Sequence, residues 1–365
     1  MTRSSIPFLS AAAVAAICLS VSSASAQTNV PTAPVPAPNA AAGQAPPTPT
    51  EAAPLPTSVP PAPATTPSAP APSLTAPAFP KPAPANFTAT SPTTAEVNAF
   101  LEANWGYDSN RVWQVQAILK TPVEGVSRVI VLVAEKASQE KPFALVFYTL
   151  PDGKHLITGN ALVAFGTNPF AAARAELQQK ADGPFRGSAS KDLEVVEFTD
   201  FQDTNWKVAQ ANVDKLAQDF PQAHIVFQNE PIASIHPEAL KAAEYGACVA
   251  KLGGNSAFFK FASAVYEAQA GLGTPDGATM TLNSAAAAAG MLPKKIATCA
   301  ASPQTQATVA DSMKLGLSLG ISAESTFMIN GRAVPTNAPY DVLKRIVEFQ
   351  AKLDGVSLIQ PAPTK

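Results

Sequence analysis

Hydrophobic positions follow regular patterns in two parts of the chain, and the first part lies between about residues 93 and 190. It opens with a helical stripe of Val97, Phe100 and Leu101, for which Thr94 is the predicted N-cap. Strand-like runs follow at 111–118, 126–134, 142–150, 155–158 and 161–165, and a helical pattern covers 170–179. A helix packed on a small antiparallel sheet is the simplest arrangement of these elements. The pattern therefore predicts a small α+β domain.

The second patterned part runs from about residue 191 to the end of the chain. A strand at 193–198, an amphipathic helix and a strand at 223–227 form a βαβ unit with an expected right-handed crossover. An insertion at about 232–320 then carries only helical patterns, in which Gly253-Gly254 marks a helix end. A strand at 325–329, the turn signal Asn330-Gly331, a strand at 332–334 and a helix at 339–353 complete the order.

The first 26 residues have the pattern of a secretory signal. Arg3 supplies a positive start, an apolar stretch runs from Ala11 to Val21, and small residues form a cleavage site before Gln27. The apolar stretch is short for a transmembrane helix, which needs about 20 residues. An uncleaved N-terminal anchor is the alternative. Cleavage would remove Cys18 and would leave the mature protein in the periplasm or outside the cell, where thiols can pair.

The segment 27–92 has a composition of its own. It holds 20 of the 36 prolines, and Glu51 and Lys81 are its only charged residues. A Pro/Ala-rich segment of this kind cannot bury enough apolar surface to offset its ordering entropy. The composition predicts a disordered, semi-extended linker, which is either a tether or a tail without a partner.

Composition and charge exclude several functions. The formal net charge is −2 and the pI is about 6.0, which argues against binding to nucleic acid. Three Cys and three His rule out a Cys-rich zinc module and a dense disulfide scaffold. No dinucleotide fingerprint or metal-ligand set is visible, so the sequence predicts no cofactor.

Three segments of the second part resemble DsbA-like thiol-disulfide oxidoreductases, a thioredoxin-fold family. Residues 196–202 resemble the strand that leads into the active site of that family, and residues 326–332 resemble its late hairpin. Residues 235–243, with Cys248 further on, look like its first insertion helix. The resemblance covers roughly 191–352 and implies an α/β thioredoxin fold with a helical insertion, preceded by the small α+β domain and the disordered linker.

Residues 93–190 are similar in placement to the N-terminal domain of DsbC-type isomerases, which dimerises. This second resemblance implies a homodimer formed through these residues. The domain order that we expect is therefore a signal at 1–26, the linker at 27–92, the small domain at 93–190 and the DsbA-like domain at 191–365.

The residues that carry the chemistry of the family are missing. In the family a Cys-X-X-Cys motif opens a helix, whose N-terminus stabilises the attacking thiolate. The positions that match it here are Asp203, Thr204, Asn205 and Trp206. The family also has a cis-proline facing the dithiol, and Ser325 stands in that place. Without a sulfur, thiol-disulfide exchange cannot occur at this position, so the sequence assigns no catalytic residue.

The replacement residues have structural and functional interpretations. Asp203 or Thr204 makes a good helix N-cap, and the charge of Asp203 also suits the helix dipole; an acid/base role for Asp203 is the alternative. Trp206 is either an exposed aromatic anchor for a bound peptide or a filler of the space that the disulfide leaves.

Cys248 and Cys299 remain in the mature chain, both in the helical insertion. Similar positions in some extracytoplasmic DsbA-like proteins form a structural disulfide, so the resemblance implies a bridge here. A pair of buried free thiols and a relocated redox pair are the alternatives.

The leading hypothesis is a secreted or periplasmic thioredoxin-fold protein that has lost its redox site. It would act by binding unfolded or envelope proteins or peptides, as a chaperone-like pseudoenzyme or an envelope interaction module, and would contact a membrane only through an uncleaved signal. The alternative is a protein disulfide oxidoreductase or isomerase that uses Cys248 and Cys299.

Overall fold

The computed structural model describes residues 78–136, 138, 140–321 and 325–359, without the side chains of residues 206 and 207. The predicted signal and most of the predicted linker therefore lie outside the described residues. The described residues form two five-stranded sheets with α helices packed against both. No helix among them is long and apolar enough to span a membrane.

The first sheet is an antiparallel meander in the order β1-β2-β3-β4-β5. Its strands are β1 (Arg111–Lys120), β2 (Ser127–Glu135), β3 (Phe143–Thr149), β4 (His155–Thr158) and β5 (Ala161–Ala164). Helix α1 (Thr94–Trp105) covers one face and buries Phe100 and Leu101 against Val129 and Val131 of β2. The predicted small α+β unit is confirmed.

The N-cap of helix α1 lies one residue before the predicted cap, Thr94, which is itself the first residue of the helix. The N-cap is Thr93, whose hydroxyl accepts a hydrogen bond from the backbone N–H of Glu96. The Glu96 carboxylate accepts one from the backbone N–H of Thr93 in return, at 2.7 Å. This capping box satisfies two donors that the first helical turn leaves unpaired, and Thr94 cannot form it in this register.

The last part of the predicted linker is folded. A 3₁₀ turn covers Pro84–Asn86, and the backbone N–H groups of Thr88 and Ala89 donate to the carbonyl of Ile118. Phe87 packs against the core of the first sheet. This part of the predicted linker is therefore ordered, because Phe87 and its neighbours find backbone partners on the edge of β1.

The second sheet is mixed and has the strand order β10-β9-β7-β8-β6. Its strands are β6 (Phe185–Gly187), β7 (Glu194–Thr199), β8 (His224–Asn229), β9 (Thr326–Ile329) and β10 (Arg332–Pro335). Strands β7 and β8 are parallel, are joined by α3 (Trp206–Asp219), and are buried along their whole length. Helix α3 packs on one face with α8 (Tyr340–Leu353). The fold is the expected thioredoxin fold.

Helix α2 (Ala171–Lys180) and strand β6 pack with the second sheet. Leu177 of α2 lies in one core cluster with Val196 and Val226, and β6 pairs with β8. The segment after residue 180, which the sequence analysis treats as part of the first domain, is therefore joined to the second. A three-residue strand carries too little pattern to be recognised in the sequence.

The helical insertion consists of α4 (Ala239–Glu267), α5 (Pro275–Ala288), α6 (Pro293–Ala300) and α7 (Pro303–Ser318). Helix α4 is broken at Gly254, whose φ of 72° lies in the left-handed region that glycine adopts readily. The helix end predicted at Gly253-Gly254 is therefore confirmed as a break between two helical segments. A shared core, centred on Phe258 and Phe261, holds the insertion together.

Candidate functional site

A cleft of about 220 Å³ opens where β7 and β8 end. The loop that follows β7 lines it with residues 203–205, and the loop that follows β8 adds Ile232, Ile235 and His236. Ser325 and residues 335–337 complete the lining. The structure thus brings Asp203, Thr204, Asn205 and Ser325 together, and the side chain of Trp206 lies outside the described residues. Crevices at the carboxyl ends of parallel strands are frequent ligand sites in α/β proteins.

Asp200 joins the two loops of the cleft. Its buried carboxylate accepts hydrogen bonds from the backbone N–H groups of Gln202, at 2.7 Å, and Ile232, at 3.1 Å. His236 Nδ1 lies 2.7 Å from Asp200 Oδ2. The imidazole is thereby oriented by a carboxylate, and the backbone of both loops is fixed around one buried charge.

Two glutamine side chains attach the first loop to the helical insertion. Gln202 accepts a hydrogen bond from the backbone N–H of Glu238 and donates one to the carbonyl of Leu272. Gln269 donates to the carbonyls of Phe201, at 3.0 Å, and Asp203, at 2.8 Å. The loop at the cleft is therefore held in one conformation by partners on both sides.

Helix α3 starts differently from the prediction. Asn205 is the N-cap residue, and its side chain makes no capping bond. Asp203 instead accepts a hydrogen bond of 2.8 Å from the backbone N–H of Asn205, which is a local turn before the helix. Asp203 and Thr204 are therefore not the N-cap, although the Asp203 carboxylate still lies near the positive end of the helix dipole.

Ser325 occupies the edge of the cleft at the start of β9. Its hydroxyl lies 2.9 Å from the hydroxyl of Thr199, the last residue of β7. This pair ties β9 to β7 beside the register pair Phe198 and Thr326. A hydroxyl that is paired in this way stabilises the cleft and carries no redox chemistry.

Two glutamates with raised pKa values lie on the elements that lead to the cleft, Glu197 in β7 and Glu230 directly after β8. Burial raises the pKa of Glu197 to about 7, with the Asp203 charge adding to the rise and Arg186 opposing it. Burial also raises the pKa of Glu230 to about 8, and the negative charge of Asp200 adds to the rise. Ionisation of Glu197 near neutral pH would add negative charge close to Asp203, and ionisation of Glu230 would add it close to Asp200.

The lining of this cleft contains groups that can donate and accept hydrogen bonds. Its lining carries hydroxyl, amide, carboxylate and imidazole groups but no sulfur. Among the described residues, no group of His, Cys, Asp and Glu side chains is arranged to hold a metal ion. The lining is mostly polar, and the exposed Ile235 lies at its edge.

The disulfide lies elsewhere, in the helical insertion. Cys248 and Cys299 are bonded across 51 residues, with their Cα atoms 5.9 Å apart. Cys248 is fully buried in α4, whereas Cys299 of α6 is partly exposed and lines a groove of about 780 Å³. The implied disulfide is confirmed, and the alternative of two free thiols is wrong.

Sequence reasoning missed the partnership of Asp200 with His236 and the positions of Glu197 and Glu230. His236 lies in the segment 235–243 that resembles the first insertion helix, a resemblance that gives it no partner, and α4 begins three residues after it, at Ala239. One signal was available in the sequence: Glu197 interrupts the apolar run of β7, and an acid in the middle of a buried strand is rarely placed there for stability alone.

The comparisons with known proteins concern the second sheet and its insertion. Residues 179–349 match the family described as Thioredoxin. No curated protein was found to match the chain.

Solved structures similar to this chain cover about half of it. A periplasmic thioredoxin-like protein from Salmonella enterica serovar Typhimurium is 17% identical, with a TM-score of 0.40, over 50% of this chain and 97% of that one. A thioredoxin-like oxidoreductase from Silicibacter pomeroyi DSS-3 is 23% identical, with a TM-score of 0.42, over 49% and 98%. BdbD from Bacillus subtilis is 22% identical, with a TM-score of 0.40, over 47% and 93%.

The residues matched by the family include the whole of the second sheet, the helical insertion and most of α8. The part of this chain from residue 179 to residue 349 matches the family described as Thioredoxin and has the thioredoxin fold.

Proposed function

We propose that this protein is a periplasmic or secreted binding module on a thioredoxin scaffold without a dithiol. Its clients are unfolded or envelope polypeptides, which it holds in the cleft between the loops after β7 and β8. The predicted secretory signal supports this location, and a protein of this kind is a pseudoenzyme rather than an oxidoreductase.

One observation carries the proposal. Asp203, Thr204, Asn205 and Ser325 take the place of the redox residues, yet an open cleft remains between them. Hydrogen bonds from Gln269 and between Thr199 and Ser325 hold the walls of the cleft. A preformed polar cleft with an apolar edge binds a chain segment with little ordering cost.

The test measures both properties on the mature protein. We expect no acceleration of insulin reduction by dithiothreitol, and we expect suppression of the aggregation of thermally unfolded citrate synthase. Ile235→Glu places a charge at the edge of the cleft and should abolish the suppression. Val123→Glu is the matched control, because Val123 is 62% exposed and Ile235 is 63% exposed. Robust insulin turnover, or equal suppression by both variants, would overturn the proposal.

A second candidate function has one observation in its favour. Cys299 lines an open groove, whereas Cys248 is buried behind it. A thiolate of a reduced client protein would attack Cys299 Sγ, and Cys248 would leave as the thiolate. The second client thiolate would then release Cys299, so that the client is oxidised and the pair is reduced. Loss of client refolding in Cys248→Ser, with the fold intact, would support this alternative.

The outer face of the first sheet supports a homodimer through residues 93–190. Tyr148, Ile157 and Leu162 are neighbours in one row across β3, β4 and β5, and each is exposed by 39% or more. The strand lattice of this face spans about 550 Å². Projecting side chains enlarge it toward the roughly 800 Å² per partner of a standard interface. The partner that we propose for it is a second copy of this chain.

Sedimentation velocity tests the dimer. Ile157→Glu should convert it to monomer, whereas Val123→Glu should leave it unchanged. A wild-type protein that sediments as a monomer at all concentrations would overturn this proposal and leave the proposed cleft unaffected.

A further inference from the structure

A groove of about 780 Å³ runs along the helical insertion, on a surface other than the cleft. Its lining includes the apolar side chains of Leu252, at the end of the first segment of α4, and Leu292, just before α6. These side chains are 40% and 72% exposed, respectively. Large apolar side chains grouped around a concave surface mark interaction sites more often than isolated exposed ones do.

The rim of the groove is basic. Lys251, Lys294 and Lys295 line it, and no acidic residue does. Lys251 Nζ donates a hydrogen bond to the side-chain oxygen of Gln304. Because Gln304 is neutral, this contact does not neutralise the charge of Lys251. The positive end of the α6 dipole lies at the same place and adds to the field. The groove therefore favours a partner that carries negative charge next to an apolar face.

The disulfide fixes the two walls of this groove. Cys248 precedes Lys251 and Leu252 by about one helical turn, and Cys299 ends the stretch of α6 that forms the other wall. On its opposite face α6 buries Ile296 in the core of the insertion. Because the bond joins α4 to α6, the groove is held open before any partner arrives, which reduces the ordering cost of binding.

We infer that this groove is a docking site for an acidic amphipathic α-helix of another protein. The apolar side chains of that helix would contact Leu252 and Leu292, and its acidic residues would face the three lysines. Two exposed leucines with three lysines beside them match the apolar and acidic faces of such a helix. This site is independent of the proposed cleft.

Fluorescence anisotropy with a synthetic probe tests the inference. The probe is a labelled peptide of about 16 residues with Leu at helical spacing on one face and Glu on the other. We expect it to bind the full mature protein, more weakly as salt rises. The same peptide with Lys in place of Glu should bind at least about tenfold more weakly. Equal binding of the two peptides would overturn the inference.

Matched variants locate the binding. Lys294→Glu with Lys295→Glu should weaken binding of the acidic peptide about fivefold or more. Lys260→Glu with Lys352→Glu, at exposed lysines outside the groove, should leave it unchanged. Leu292→Ser should weaken binding about tenfold. Leu317→Ser, at a leucine that is 65% exposed on α7, should have no effect.

Two further outcomes are decisive. Reduction of the disulfide should weaken binding of the acidic peptide, because the groove walls are then no longer joined. If vesicles of phosphatidylglycerol bind through Leu292 and the lysines while the acidic peptide does not, the occupant is a membrane and the inference is overturned.

Discussion

His236 Nδ1 lies 2.7 Å from the buried carboxylate of Asp200, and this contact joins the two loops that line the cleft. The Asp200 side chain is 1% exposed, and the His236 side chain is 18% exposed. A second His–Asp pair, His155 with Asp152, has a distance of 2.5 Å but both of its side chains are more than 40% exposed. The two pairs have similar nitrogen–oxygen distances but differ in the exposure of their side chains, so they allow a matched comparison.

We expect His236→Ala to lower the free energy of unfolding by about 2 kcal/mol, because it removes a partner of a buried charge. His155→Ala should lower it by less than about 0.5 kcal/mol, because exposed pairs contribute little. Urea denaturation of both variants measures the difference. Equal losses would show that the buried pair does not hold the two loops together.

The buried glutamates predict a fall in stability with rising pH. Glu197 has a pKa of about 7 in the folded protein and an ordinary value of 4.5, so the folded state holds its proton more tightly than the unfolded state does. Its contribution is complete below pH 4.5 and is lost as the pH rises to about 7, by an amount on the order of 3 kcal/mol. Glu230 extends the same trend to about pH 8.

Other groups give the matching controls for the pH dependence. Burial lowers the pKa of His224 below its ordinary value of 6.5. Its effect on stability is therefore opposite to that of the glutamates, because its contribution is lost as the pH falls below 6.5. Urea denaturation between pH 5 and pH 8 should show a flatter slope in Glu197→Gln than in the wild type. Glu102→Gln, at an exposed position on α1, should keep the wild-type slope. An unchanged slope in Glu197→Gln would contradict the assignment.

The sequence predicts the elements whose signals are local. The turn Asn330-Gly331 is an example, because both residues have positive φ angles, 43° and 87°, as the tight hairpin requires. Gly254 likewise breaks α4 where a glycine-specific backbone conformation is needed. The apolar runs of β7 and β8 and the helical stripes of α3 and α8 are long enough to be recognised. These signals suffice for the thioredoxin order.

The arrangement of the cleft depends on contacts between residues that are distant in sequence. Asp200 and His236 are 36 residues apart, and Thr199 and Ser325 are 126 apart. No periodic pattern indicates such pairs. The resemblance to a family indicated which positions face one another, but not that Gln202 and Gln269 would hold them.

Arg332 connects the two sheets of the described structure. Its guanidinium donates to the carbonyl oxygens of Ala103 and Asn104 at the end of α1 and to the side chain of Gln350 in α8. It also lies 4.1 Å from the ring centre of Phe170. Because the group is 5% exposed, these partners replace the water that it would otherwise bind.

Arg332→Ala should lower the free energy of unfolding by about 3 kcal/mol or more, because it leaves buried carbonyl groups without donors. It should also speed hydrogen exchange in the last turn of α1. Arg345→Ala removes an exposed i,i+4 pair with Asp341 and should change neither quantity measurably. If α1 exchanges at the same rate in both variants, Arg332 does not connect the two sheets.

Restoring the dithiol is the sharpest test of what the scaffold retains. We expect the double substitution Asp203→Cys with Trp206→Cys to form a disulfide and to reduce insulin in the presence of dithiothreitol, where the wild type is inactive. The thiol at position 203 would lie just before α3, whose positive end stabilises a thiolate. Asp203→Ser with Trp206→Ser is the control that changes the same positions without a sulfur.

A gain of turnover in the cysteine variant alone would mean that the loss of chemistry lies in the replaced residues and that the surrounding cleft still receives a polypeptide. No turnover, despite a disulfide detected by mass spectrometry, would mean that the cleft does not accept a client chain. The latter result would count against the binding function proposed for it. Ser325→Pro, added to the cysteine variant, should raise the turnover further if the edge of the cleft at β9 contacts the client.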